Sequence, residues 1–199
     1  HRDLHSFPTR RSSDLGEACL LYHCNYGAPF LGAGAKFVAP SREVAPRDAR
    51  AAEGIETYAD YPAPTAGFVE QCYWHDMATD PAGRTLAMLR NAQADKAVVV
   101  RWNRNELPSF AQWKNPVGER EGYVTGLEPG TNFPNSKTFE RSKGRIPMLE
   151  PDQVLRAELV FEVHDTAAGV AAIENEIASL MAGHRPQVHA QPIAKWSPM

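Results

Sequence analysis

Two short stretches of the chain carry side chains suited to moving protons. His23 and Asn25 lie two apart in ACLLYHCNY, Ala18 to Tyr26, a run that Gly27 and Pro29 bring to an end. An apolar, aromatic run bounded in this way reads as a strand. Its period of two puts Leu21, His23 and Asn25 on one face and Leu20, Tyr22 and Cys24 on the other. The second stretch, YVTGLEPGTNFPN from Tyr123 to Asn135, runs a strand into Glu128-Pro129-Gly130 and delivers a carboxylate beside turn residues. An imidazole and a carboxylate can exchange protons with a substrate in both directions near neutral pH. Taken alone, each residue also has a plainer reading, His23 as a structural histidine and Glu128 as a solvated turn residue.

Other signatures of chemistry are missing from the sequence. It has no Walker A motif, no GxGxxG after a strand, no GxSxG elbow, no HExxH and no CxxC pair. GAGAKF, Gly32 to Phe37, lacks a third glycine and a following helix, and reads as a loop. His164, His184 and His189 read as solvated side chains, and His75-Asp76 alone is too little for a metal centre. No metal and no organic cofactor is expected.

The elements that must hold these residues are mostly strands. Further strands are expected over Phe68 to Met77, Arg84 to Asn91, Lys96 to Asn103, Ser109 to Lys114, Tyr123 to Glu128 and Val154 to His164, with turn residues between most of them. The stretch from Pro29 to Pro64, rich in Gly, Ala and Pro, reads as mostly irregular, and a loop that long is usually functional. After Asp165-Thr166, a helix is expected with Val170, Ile173, Ile177, Leu180 and Met181 on one face and Gly183 near its end. Seven strands and one C-terminal helix predict an all-β sandwich.

Composition sets the boundaries of function. The 199 residues are 43% hydrophobic and 23% charged, as in an ordinary globular protein. A net charge of -3 offers no footprint for phosphate backbones or anionic membranes, so neither a nucleic acid nor a membrane is an expected partner. No spanning run and no secretory signal is visible, and three cysteines are too sparse for a disulfide framework, which points to the cytoplasm. Back-translated, HRDLHSFPTRRSSDL at residues 1–15 reads as a common sequencing-library adapter joined in frame, so this segment is expected to be non-native. Residues 16–184 then form a partial sandwich domain lacking its N-terminal portion. Residues 185–199, with three prolines, form an extended or loose tail.

YHCN at Tyr22 to Asn25, taken with TGLEPGTNFPN at Thr125 to Asn135, resembles the aldose 1-epimerase, or galactose mutarotase, superfamily. YGAPFLGAGAKFVAP, EVAPRDAR, FVEQCYWHDM and LPSFAQWK narrow the resemblance to a branch of aldose-1-epimerase-like proteins, over Cys19 to about Asp165. The resemblance implies a large antiparallel galactose-mutarotase-like β-sandwich, N-terminally truncated here, that binds a small-molecule sugar. It places the family's acid histidine at His23 and its catalytic glutamate at Glu128, although Tyr22 stands where the family motif has Asn. A second family histidine belongs to the N-terminal part, and His75 is the candidate substitute within this chain. Trp113, Trp102 and Tyr73 are candidates to stack on a sugar ring, and Asn25, Arg47 and Lys114 to donate to its hydroxyls. The function implied is interconversion of sugar anomers by the full-length parent. The alternatives are a catalytically silent carbohydrate-binding or regulatory domain, and a cupin-like metal enzyme, which would need three converging ligands with His75 near His23.

Overall fold

The computed structural model describes residues 2–6 and 15–199. Residues 1 and 7–14, within the segment expected to be non-native, lie outside the described residues. Strands β1 (Arg2–Ser6), β2 (Gly16–Glu17), β3 (Cys24–Gly27), β4 (Lys36–Val38) and β5 (Ser41–Pro46) come first. They are followed by β6 (Gln71–Met77), β7 (Arg84–Arg90), β8 (Ala97–Asn103), β9 (Ser109–Asn115) and β10 (Val124–Gly130). Last are β11 (Met148–Leu149), β12 (Ala157–His164) and β13 (Gln187–Val188).

Two sheets are stacked. One runs β1-β12-β8-β7-β4, the other β13-β5-β6-β9-β10-β3, and every pairing is antiparallel except β13 with β5. The main core lies between them: Phe37, Leu89, Val100, Trp102 and Leu159 from the first sheet meet Met77, Phe110 and Leu127 from the second. Because side chains alternate along a strand, each sheet also has an outer face. The outer face of the first is covered by helix α3 (Ala167–Met181), whose Val170, Ile173 and Ile177 pack on Leu86, Met88 and Val99. Thr166 caps the start of α3 by accepting from the Gly169 amide at 3.1 Å.

Two further helices, α1 (Ala49–Ala52) and α2 (Lys137–Ser142), are capped by Asp48 and Ser136. They span only one or two turns, too few for a helical period to show in the sequence. The stretch from Pro29 to Pro64 holds β4, β5, α1 and a 3-10 turn at Ile55–Thr57. Residues 185–199 have little regular structure and are mostly exposed, but they are anchored near the end: Trp196 is 5% exposed, and Ser197 is fully buried.

Candidate functional site

The second sheet sorts the candidate residues by face. Its register aligns Glu128 with Ala111, then Trp74, then Ala45, and Gly126 with Trp113, then Cys72. These residues share the outer face of the sheet. The other parity aligns Thr125 with Lys114 and Gln71, and Pro129 with Phe110, His75 and Val44, all turned toward the core.

On the outer face, β3 lies against β10 with Asn25 opposite Gly126. His23 then reaches Glu128, with Nε2 and Oε1 3.0 Å apart, while its Nδ1 lies 2.7 Å from Asn25 Oδ1. Asn25 thus holds the ring so that Nε2 faces the carboxylate. The His23 side chain is 45% exposed and that of Glu128 only 4%. The approach lies off hydrogen-bonding direction, and Glu128 Oε1 is buried with no hydrogen-bond partner among the described residues. Gly126 makes room for this carboxylate. A Cβ there would run into Glu128 Oε1 and lie 3.2 Å from His23 Cε1, so a larger residue would displace the carboxylate from its place beside the imidazole.

Trp113 stands edge-on to the His23 ring, 5.3 Å between centroids, and donates from Nε1 to Glu70 Oε2 at 2.7 Å. Glu70 is also 3.4 Å from Arg47 Nη2, and the Arg47 Nε donates to Asp48 at 2.8 Å. Burial pushes the Glu128 carboxyl up to about 7, the Glu70 charge adds to that, and Arg47 opposes it. A carboxyl held there is half ionised near neutral pH, as a general base requires. Burial, with the Glu128 charge, pushes the nearby Cys24 thiol up to about 12, so it does not compete as a nucleophile.

The structure brings His23, Asn25, Glu128, Trp113 and Arg47 onto one face, and it separates the remaining candidates from them. His75 is turned into the core, 1% exposed, against Phe37, Tyr58 and Phe110, with Nδ1 2.9 Å from Ser41 Oγ. Burial drives its pKa down to about 3, so it is a neutral core residue on the opposite face of the sheet from Glu128. Lys114, adjacent to Trp113 on β9, must face the other way. Its Nζ donates to the Thr57 carbonyl at 2.8 Å under the Tyr61 ring, and burial lowers its pKa to about 8. Tyr73 is buried with Val44, Ala51 and Ile55, and Trp102 stacks on Phe110 between the sheets. Among the described residues no three His, Cys, Asp or Glu side chains converge, so the cupin-like alternative lacks a ligand set. Two features went unread in the sequence, Glu70 and the space left by Gly126. Glu70 shares a parity with Cys72 and Trp74 in FVEQCYWHDM, but which parity faces the site is fixed only by pairing with β9.

Two cavities of about 520 and 400 Å³ lie elsewhere, and neither is lined by His23 or Glu128. The larger is lined by Arg101, Glu158 and Leu180 among others, beside α3, and the smaller by Arg104, Thr131 and Arg145 among others. The cations are already paired with carboxylates: Arg101 with Glu162 and Glu176, Arg104 with Asp76, and Arg145 with Glu140. No helix among the described residues is long and apolar enough to cross a membrane.

Comparison with known proteins agrees with this architecture. The crystal structure of a putative aldose 1-epimerase from Klebsiella pneumoniae subsp. pneumoniae superposes with a TM-score of 0.92 at 31% identity, over 96% of this chain and 50% of that one. The Slr1438 protein from Synechocystis sp. PCC 6803 superposes with a TM-score of 0.55 at 12% identity, over 82% of this chain and 50% of that one, and shows the fold alone. The chain therefore spans about half the length of both and has an aldose 1-epimerase-like fold. No curated protein matches it. Residues 9–163 match the family described as a domain of unknown function, DUF4432, and the chain belongs to that family.

Proposed function

We propose that the outer face around Glu128 binds a sugar and that the full-length protein interconverts its anomers. One observation carries the reading: a buried carboxylate oxygen with no hydrogen-bond partner among the described residues lies 3.0 Å from an accessible imidazole. A buried acceptor left unpaired is costly, and a substrate hydroxyl is the group that would satisfy it. In the reaction, Glu128 takes the proton of the anomeric hydroxyl while His23 gives one to the ring oxygen, and the C1–O bond of the ring breaks. After rotation about the C1–C2 bond, the open-chain aldehyde closes on its other face. His23 recovers its proton from the hydroxyl, and Glu128 returns its own to the new anomeric oxygen. Both groups end as they began, so no proton or electron is left unbalanced. Trp113 supports the ring by stacking, and Asn25 and Arg47 donate to its hydroxyls.

The test is anomer exchange followed by NMR on the full-length protein, across hexoses, pentoses and their phosphates. Exchange accelerated over buffer supports the reading. Saturable sugar binding without acceleration would instead establish a catalytically silent carbohydrate-binding domain, and neither would overturn both.

A further inference from the structure

We propose that the segment from Gln187 to Ser197 is a wall of this same site, limiting it to a single sugar ring; the inference rests on the sugar-binding reading above. The segment is fastened first at the sheet edge, where β13 runs parallel to β5 and the His189 amide donates to the Val44 carbonyl at 2.9 Å. Glu43 then clamps it from two sides, lying 2.7 Å from His189 Nε2 and accepting from Lys195 Nζ at 2.9 Å. Farther on, Arg145 donates to the Lys195 carbonyl and Asn135 to the Trp196 carbonyl, each at 2.7 Å.

These ties lay Trp196 over the outer face of the second sheet. It joins Ala45, Cys72, Trp74, Ala111 and Phe133 in one buried cluster, and Ile193 and Trp113 pack at its rim. The position matters because Ala111 is the direct cross-strand neighbour of Glu128, and Trp74 is the next residue along the same row. An indole on an open sheet face is a stacking platform for a sugar, and here there are two, Trp113 and Trp74. The segment takes the second away: Trp74 donates to Ser197 Oγ at 2.9 Å, and its ring packs on Phe133 at 5.0 Å. Of these two, Trp113 is left to support a ring at His23 and Glu128. A second ring extending toward β6 meets Trp196 and Ile193.

The experiment compares D-glucose and D-galactose with the reducing disaccharides maltose and lactose on the full-length protein and on its Trp196→Ala and Ile193→Ala variants. In the parent, kcat/KM for the single sugars exceeds that for the disaccharides by about tenfold or more, the scale on which a pocket wall rejects an added group. In the variants that ratio collapses. Cys72, 4% exposed beneath the segment, reports independently on whether the cover has gone, through its rate of reaction with a thiol reagent. A variant that exposes Cys72 but keeps the parental ratio overturns the wall and leaves the catalytic reading standing. If the parent exchanges no anomers, the catalytic reading falls instead. The wall is then judged by the affinities of the same four sugars in an NMR titration, with the same collapse expected and the same unchanged ratio overturning it.

Discussion

Two buried glutamates twelve positions apart show how one residue type serves architecture in one place and is left available for chemistry in another. Glu140, in α2, is fully buried, and every direction of its carboxylate is answered. Arg145 grips it as a fork at 2.6 and 2.7 Å, Asn135 Nδ2 donates at 2.7 Å, and the Phe133 amide at 3.2 Å. Glu128, on β10, is 3% exposed with no guanidinium against it, and it keeps one oxygen unpaired. The first arrangement offsets the desolvation of a charge and fixes the turn after β10. The second leaves that desolvation uncompensated and moves the proton affinity to about 7. Lack of a partner is not a sufficient sign by itself, because His75 Nε2 is also unpaired and buried. What distinguishes Glu128 is access, through a neighbouring imidazole open to solvent.

The sharpest way to break the comparison is to neutralise each glutamate in turn. Glu128→Gln keeps size and reach but cannot accept a proton, so anomer exchange in the full-length protein should fall by about 10²- to 10⁴-fold while sugar affinity changes little. NMR exchange rates and a binding titration measure the two separately, and exchange at the parental rate would make the glutamate structural. Glu140→Gln should behave in the opposite way. It breaks the ion pair of a fully buried carboxylate with the half-buried Arg145 and should cost about 3–5 kcal/mol of stability. Urea unfolding measures that loss, and the protein that remains folded should still exchange anomers.

A third experiment asks whether Glu128 carries a stability cost. Its pKa is raised in the folded state, so the proton-bound form favours folding, and that stability is lost as pH rises from 4.5 through about 7. The loss comes to about 3 kcal/mol at pH 8. Glu128→Gln should therefore be more stable than the parent at pH 8 by about that amount, with the difference closing below pH 4.5. Equal stability at both ends of the range would show that the carboxylate is not held under strain.

Period-two alternation made much of the candidate site's geometry legible. It put His23 and Asn25 on one side of a strand, and the strand after Tyr123 delivered Glu128. Alternation also forbids Trp113 and Lys114 from sharing a face, since they are consecutive on β9, so grouping both at one sugar was inconsistent with the strand that carried them. The face chosen for His75 and Tyr73 was a different matter. Along β6 and the residue before it, the sequence separates Glu70, Cys72 and Trp74 from Tyr73 and His75, but only the register with β9 decides which set stands beside Glu128. The anchoring of residues 185–199 was hidden for a related reason. Its anchors, Glu43, Trp74, Asn135 and Arg145, are distant in sequence and leave no local pattern around the three prolines.

The smallest effect expected is the most specific test of how the site is tuned. Burial is the main cause of the raised Glu128 pKa, and the Glu70 charge the second, while Arg47 pulls the other way. Glu70→Gln removes the like charge and keeps a side-chain oxygen to accept from Trp113 Nε1, so the ring beside His23 stays in place. It also leaves Arg47 less neutralised, which favours the ionised form of Glu128 as well. Both changes lower the Glu128 pKa. As a base, Glu128 works only when ionised, so the rate rises with pH through its pKa, and the midpoint of the acid limb of kcat/KM should lie near 7 in the parent and lower in the variant. The Glu70 side chain is 44% exposed, so its influence is screened, and the displacement should shrink as salt is added. A midpoint that stays put, or moves up, would mean that burial alone sets the proton affinity of Glu128 and that Glu70 serves only to hold Trp113.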